Sequence, residues 1–401
     1  MNRSITRKAS LLGTAVLLAS TLAACGGDEA ARSSDDPFRV LTFLGLGAPF
    51  TELGQAYRAG EQAAADVINA DGGVNGRQIE VTAADTACDA TKSVAEFQER
   101  VVDSGKTPDV LIPGCSGETL ALLPQTTQRK ILTVNAIGND EVNDVEKYPY
   151  EFNVYPRPTT SIDIIVEHLA EEGYKQIAHT GVNDASGQNF SKTIVEAGKA
   201  AGITVDSQLL DPTAVDASPT LLKLQSSDPD ALVVSGSFGY APIFKAISKL
   251  GWDLPIVADP NMAATNFVAA VAPDVLSRMQ VLAFPAIVQG SDMTKTKAWK
   301  TFREAVDKQV GGKKITSPMQ QYIQGYNSVL LAAGGYEGAD SIDTEKVRRY
   351  LESGALPERY AQLIVGPGEL GLSESNHAFD YTGDDLIYTS VSAFNDGMLV
   401  P

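Results

Sequence analysis

Apolar and polar positions along this chain switch repeatedly between two periods, beginning at Phe38. Residues 38–44 (FRVLTFL) form an almost continuous apolar run of strand length. Residues 52–70 follow with Ala-rich apolar positions at helical spacing, and Asp71-Gly72-Gly73 stops them. The alternation continues through strand-like 77–83, helical 91–104, strand-like 109–113, helical 117–129 and strand-like 131–135. After Pro156-Arg157-Pro158 it restarts, with helices at 159–172, 187–201, 218–226 and 241–250 and strands at 176–180, 204–210, 231–235 and 255–258. Strands that alternate with helices predict parallel sheets covered on both faces. The fold class is therefore α/β, with two doubly wound units of similar size joined near residue 156. Further on, 294–309, 320–336 and 343–353 read as helices, and 360–365 and 379–394 as strands and turns.

The first residues break this pattern. Residues 1–8 are basic and 11–24 are apolar and uncharged. This is the pattern of a signal peptide, too short for a permanent membrane helix. Its end, Leu22-Ala23-Ala24-Cys25, resembles a bacterial lipobox, which implies cleavage before Cys25 and a lipid on its sulfur. An ordinary signal peptide followed by a chance Cys is the alternative. We read 1–24 as a lipoprotein signal peptide, 25–37 (from Cys25 to Pro37) as a polar tether, and the mature chain as anchored by its lipid on the extracytoplasmic face of a membrane.

The whole chain of 401 residues is 43% hydrophobic and 20% charged, as a globular protein is. Its net charge of −18 becomes −21 without the first 24 residues, which carry three bases and no acid. Such acidity argues against a nucleic-acid partner, whose phosphates require Lys and Arg. Setting Cys25 aside, Cys88 and Cys115 remain of the three Cys, and export predicts a disulfide between them. Two buried thiols or a metal pair are the alternatives. Three His and no CxxC give little for a metal site.

Candidate chemistry falls at the ends of the strands. Gly45-x-Gly47, with Pro49 and Phe50 after it, lacks the third Gly of a dinucleotide fingerprint, yet a loop between strand and helix can hold a small ligand. In Gly114-Cys115-Ser116-Gly117, Ser116 reads as a helix N-cap whose hydroxyl and following N–H groups, that of Gly117 first, face a crevice suited to a carboxylate. A Ser hydrolase is the rival reading, with His179 as its one plausible base. Phe238 and Tyr240 follow a strand and suit the wall of an apolar ligand site, or loop packing alone. Asp259 also ends a strand, where it could meet a ligand cation or simply form a turn with Pro260 and Asn261.

The stretch Ile68-Asn69-Ala70-Asp71-Gly72-Gly73-Val74-Asn75-Gly76-Arg77, followed by Cys88-Asp89 and by Cys115-Ser116 before a helix, resembles the branched-chain amino acid (Leu/Ile/Val)-binding family of type I periplasmic binding proteins. The resemblance covers roughly 38–396. It implies two α/β lobes joined by three crossovers, near 156–158, 283–290 and 382–386, with a ligand cleft between them. The N-terminal lobe would comprise 38–156 plus 285–382, and the C-terminal lobe 157–284 plus 383–401. It further implies ligand contacts from Ser116, Thr119, the loop Ala136 to Asn139 with Gly138, Ser186, Phe238, Phe284, and Asp259 or Asn261 at the ligand's ammonium. The chain departs from the family at Gly47-Ala48-Pro49, Gly138-Asn139 and Ser186. The implied function is delivery of a small ligand to an ABC permease by a monomer that needs no cofactor and does no chemistry. A ligand-sensing receptor module on the same fold is the alternative. The family's default ligand is a branched-chain amino acid; amides, short peptides and aromatic acids also remain open.

Overall fold

The computed structural model describes residues 36–236, 239–263, 265–383 and 385–401. The segment expected to be a signal peptide, Cys25, the expected tether to residue 35 and Phe238 lie outside them.

The first sheet comprises β1 (Phe38–Leu44), β2 (Ile79–Asp85), β3 (Val110–Pro113), β4 (Leu132–Asn135) and β5 (Glu151–Asn153), in the order β2-β1-β3-β4-β5, all parallel. The second comprises β6 (Gln176–Val182), β7 (Thr204–Leu210), β8 (Ala231–Val234), β9 (Ile256–Ala258), β10 (Met279–Ala283) and β11 (Ile387–Ser390), in the order β11-β10-β9-β8-β6-β7, parallel except for β11. The winding repeats: β2-β1-β3 in one sheet has its counterpart in β7-β6-β8. A small hairpin of β12 (Ala393–Asn395) and β13 (Met398–Val400) ends the chain. The central strands β3, β4 and β8 are buried on both faces, as parallel strands under two helix layers must be.

Helices α1 (Thr51–Ala70), α2 (Ala90–Phe97), α3 (Ser116–Gln128), α4 (Pro158–Glu171), α5 (Ala185–Ala200), α6 (Ser218–Gln225) and α7 (Ala241–Leu250) occupy the connections between strands. The four-residue α8 (Pro260–Ala263) and α9 (Pro273–Leu276) precede β10. Then α10 (Lys297–Gln309), α11 (Met319–Gly338), α12 (Thr344–Glu352) and the short α13 (Glu358–Ala361) come before β11. The predicted helix over 91–104 stops being α-helical at Phe97 and continues as a wider π-turn, Gln98–Asp103. The predicted strand at 360–365 is a correction. Tyr360 lies fully buried in α13, and its hydroxyl donates to Glu337, so the apolar run there is helical packing. β5 and β10 had no counterpart in the sequence pattern.

α11 follows β10 of the second sheet in sequence but packs along α1. Their backbones approach so closely that a Cβ on Gly60 would lie 2.0 Å from the Tyr322 carbonyl oxygen, and one on Gly325 2.1 Å from that of Tyr57. The Gly-rich motif before β2 is a structural pin. Asn75 and Gly76 turn with φ of 49° and 84°, which brings Arg77 onto Asp109 in a buried bidentate pair of 3.0 and 2.7 Å. Arg77 also donates to the carbonyls of Asp36 and Pro37, fixing the entry to β1.

Candidate ligand cleft

In open α/β sheets a ligand crevice forms beyond the carboxyl ends of the strands, where the winding reverses. Both sheets present that end to one cavity of about 340 Å³. From the first sheet come Leu44 at the end of β1 with Gly45 after it, Gly114 to Gly117 after β3, and Ala136 to Gly138 after β4. From the second come Val182 at the end of β6 with Asp184 to Ser186 after it, Gly236 after β8, and Asn261 after β9. Helix α1 adds Leu53, Gly54 and Tyr57, and α11 adds Gln321 and Gln324.

The β3 side of the wall is held from behind. Cys88 and Cys115 form a disulfide with Cα atoms 5.5 Å apart, as export and cysteine arithmetic predicted. Buried Glu118 gathers the same region. Its carboxylate accepts from the N–H groups of Gly114 (2.9 Å) and Cys115 (3.1 Å) and from the hydroxyls of Thr86 (2.6 Å) and Ser93 (2.8 Å). Burial nevertheless pushes its pKa up. The N-cap of α3 is Cys115, and Ser116 is the first helical residue, a one-residue correction to the expected cap. Ser116 still lines the cavity, with Gly117 beside it.

The two sheets are also joined directly across one rim. Ser186 Oγ donates to the Gly138 carbonyl at 2.7 Å, Asn139 Nδ2 to that of Ala185 at 3.3 Å, and the Asp140 N–H to Asn189 Oδ1 at 3.3 Å. Gly138 suits this crossing because a Cβ there would meet the Asn261 amide at 3.1 Å.

Of the expected site residues, Phe50, Ser116, Gly117, Ala136, Gly138, Ser186 and Asn261 line the cavity. Several others do not. Thr119 is buried, and its hydroxyl donates back to the Cys115 carbonyl. Asn139 caps the following 3-10 turn, accepting from Glu141 N at 2.9 Å. Tyr240 caps α7 and meets Phe244 edge-on, with ring centroids 6.2 Å apart. Phe284 packs against Tyr155 and Tyr381 and lines a separate cavity of about 60 Å³. Pro49 lies in the turn just outside the wall. Asp259 is fully enclosed: Oδ2 accepts from Asn261 Nδ2 at 2.8 Å, and Oδ1 from the N–H groups of Met262 (3.0 Å) and Gly236 (3.2 Å). Burial raises its pKa to about 6 despite these bonds.

The sequence pattern passed over Leu53, Tyr57, Asp184, Gln321 and Gln324. Gln321 and Gln324 lie among four amide side chains, with Gln320 and Asn327, in the first half of α11. The hydrolase reading loses its base. His179 sits between Ser207 (2.7 Å) and Ser235 (2.9 Å), fully buried, and does not line the cavity. Burial lowers its pKa to about 3, so it stays neutral. Among the described residues, no cluster of His, Cys, Asp and Glu could hold a metal ion, and no helix is long and apolar enough to cross a membrane.

Two wound sheets with one cavity between their carboxyl ends define a type I periplasmic binding protein. The model of the periplasmic binding protein family matches residues 39–380, and the chain belongs to that family. An amino acid binding protein of Pseudomonas aeruginosa is 22% identical over 333 residues, covering 77% of this chain and 82% of that protein. An extracellular ligand-binding receptor of Rhodopseudomonas palustris superposes with a TM-score of 0.75 at 18% identity, over 91% of this chain and 99% of that one. The branched-chain amino acid transporter substrate-binding protein LivJ of Streptococcus pneumoniae, solved with isoleucine, gives a TM-score of 0.70 at 19% identity, over 90% and 97% of the two chains.

Proposed function

We propose that this chain is a lipid-anchored, monomeric solute-binding protein that carries a small ligand to the permease of an ABC importer. Cys25 bears the anchor. The lobes divide at the three crossovers near 156–158, 283–290 and 382–386. A ligand in the cavity touches both lobes and favours the closed arrangement, which the permease reads. The protein does no chemistry on its cargo. The family's default cargo is a branched-chain amino acid or a related compound. The observation that carries this reading is the single cavity walled by Ser116 and Gly117 from one sheet and by Asp184, Ser186 and Asn261 from the other.

Isothermal calorimetry of the purified protein with a panel of amino acids, amides and organic acids tests it. One member of the panel binds with one-to-one stoichiometry. Ser116→Ala weakens that ligand by about 1–3 kcal/mol, because a buried acceptor loses its donor. Unaltered binding in Ser116→Ala would move the site elsewhere, and silence from every solute would remove the transport reading.

A further inference from the structure

One polar side chain faces the cavity uncompensated. Gln324, on α11, is 6% exposed and lines the wall. Among the described residues, none gives its side-chain amide a hydrogen bond. Asn327, one turn further on, is satisfied on both atoms: Nδ2 donates to the Val365 carbonyl at 2.8 Å, and Oδ1 accepts the Val365 N–H at 3.1 Å. Buried polar groups are as a rule paired, so an amide left open towards a cavity is completed by what enters it.

The charges on the wall narrow what that is. Among the described residues Asp184 is its one carboxylate, and no Lys, Arg or His lines it. Asp184 caps α5, accepting the Gly187 N–H at 2.7 Å. The starts of α1 and α3, which also reach the wall, carry Glu52 and Glu118 in their first turns. Each acid offsets the partial positive charge of its own helix start, so a carboxylate entering here meets no surplus positive charge. An ammonium meets no carboxylate set aside for it, since Asp259 lies outside the wall with both oxygens taken. Burying an ion without a partner costs far more than burying a neutral group that is hydrogen-bonded.

A carboxamide presents a donor and an acceptor side by side. A carboxylate only accepts and an ammonium only donates, whereas a second carboxamide answers both atoms of the first. Ser116 and Asn261 add a hydroxyl and a further carboxamide to the wall, while Leu44, Leu53, Ile137 and Val182 leave an apolar remainder. At about 340 Å³ the space is near the lower end of small-molecule cavities.

We infer that the cavity takes a small uncharged solute, a primary carboxamide on an apolar body, and that Gln324 is the residue that reads the amide. This rests on the solute-binding reading above and selects among its cargoes.

Three forms of each of two skeletons test it on the full chain: 4-methylpentanamide, 4-methylpentanoate and leucine, and 3-phenylpropanamide, 3-phenylpropanoate and phenylalanine. By calorimetry at pH 7, at least one amide binds more tightly than both its acid and its amino acid, by about tenfold or more. Gln324→Met keeps the length of the side chain and removes its amide. It should weaken the bound carboxamide by about tenfold or more. The melting temperature of the ligand-free variant should hold or rise, because no bond inside the protein is lost. If an acid or amino acid binds and no amide leads it, the inference fails and the solute-binding reading stands. A Gln324→Met variant that holds the amide as tightly as the wild type, or that melts lower without ligand, overturns the role of Gln324. Silence from all six solutes overturns the inference, and only silence across the wider panel above removes the solute-binding reading with it.

Discussion

At the scale of single residues, the least compensated group in the first lobe is Glu61. Both its carboxylate oxygens are buried without a hydrogen-bond partner, and the neighbouring Thr42 hydroxyl donates to the Ile112 carbonyl instead. Burial raises its pKa to about 8. A carboxyl with a raised folded-state pKa holds a proton that the unfolded chain has already released. Its contribution to stability is therefore complete below the unfolded pKa and is lost as pH rises towards 8. Between those limits the slope is about 1.4 kcal/mol per pH unit. Asp259, raised to about 6, acts in the same direction over a narrower window. Glu61→Gln should thus raise the melting temperature more at pH 8.5 than at pH 5, and parallel curves at the two pH values would count against a neutral Glu61. None of this was legible in the sequence, where Glu61 is one acid on an Ala-rich helix. The disulfide was legible, because the family spacing and the count of three Cys left one pairing. Replacing Cys88 and Cys115 with Ser should cost about 2–4 kcal/mol in chemical denaturation. It should also weaken ligand binding, because both residues line the cavity.

Among secondary-structure elements, those with a strong period were readable and those defined by their partners were not. The boundaries of β1, β7 and α7 coincide with the sequence pattern, since each is a long apolar or amphipathic run with clear stops. β5 and β10 are three and five residues long and become strands only by pairing with β4 and β9. The run from Tyr360 has strand-like composition, but α13 buries it against Glu337 and Arg359. The cavity divides in the same way. Most residues on loops directly after strands were found, Asp184 after β6 being an exception, whereas Leu53, Tyr57, Gln321 and Gln324 reach it from helices whose closeness depends on Gly60 and Gly325. Gly60→Ala drives a methyl into the Tyr322 carbonyl at 2.0 Å, so α1 and α11 must separate. We expect a loss of about 3 kcal/mol or more and weaker ligand binding with it. Thermal denaturation and calorimetry on the same preparation would measure both, and a variant as stable as the wild type would show that the helices have room to spare.

For the molecule as a whole, binding and shape are one equilibrium. Ser186, Asn139 and Asn189 already bridge the rim, so a ligand has to supply only the remaining preference for closure. At about one hundred times its Kd, ligand should add about 2.7 kcal/mol to stability. Small-angle X-ray scattering should record a smaller radius of gyration with ligand than without it, more clearly in Ser186→Ala than in the wild type. An unchanged radius in both would mean that binding does not move the lobes. Cys25→Ser should shift the protein from the membrane to the soluble fraction, and retention in the membrane would refute the lipid anchor. The pairing of α1 with α11 has a consequence for biosynthesis. The partner of residues 51–70 is not made until residues 319–338 appear, so the lobe that is begun first must wait, its longest helix uncovered, while the second sheet, from β6 to β10, is synthesised without interruption. The strands from β6 to β10 can then pair before the first lobe closes, although β11 joins them last, and a nascent chain arrested near residue 300 should protect that central segment from protease while its own N-terminal third is still digested.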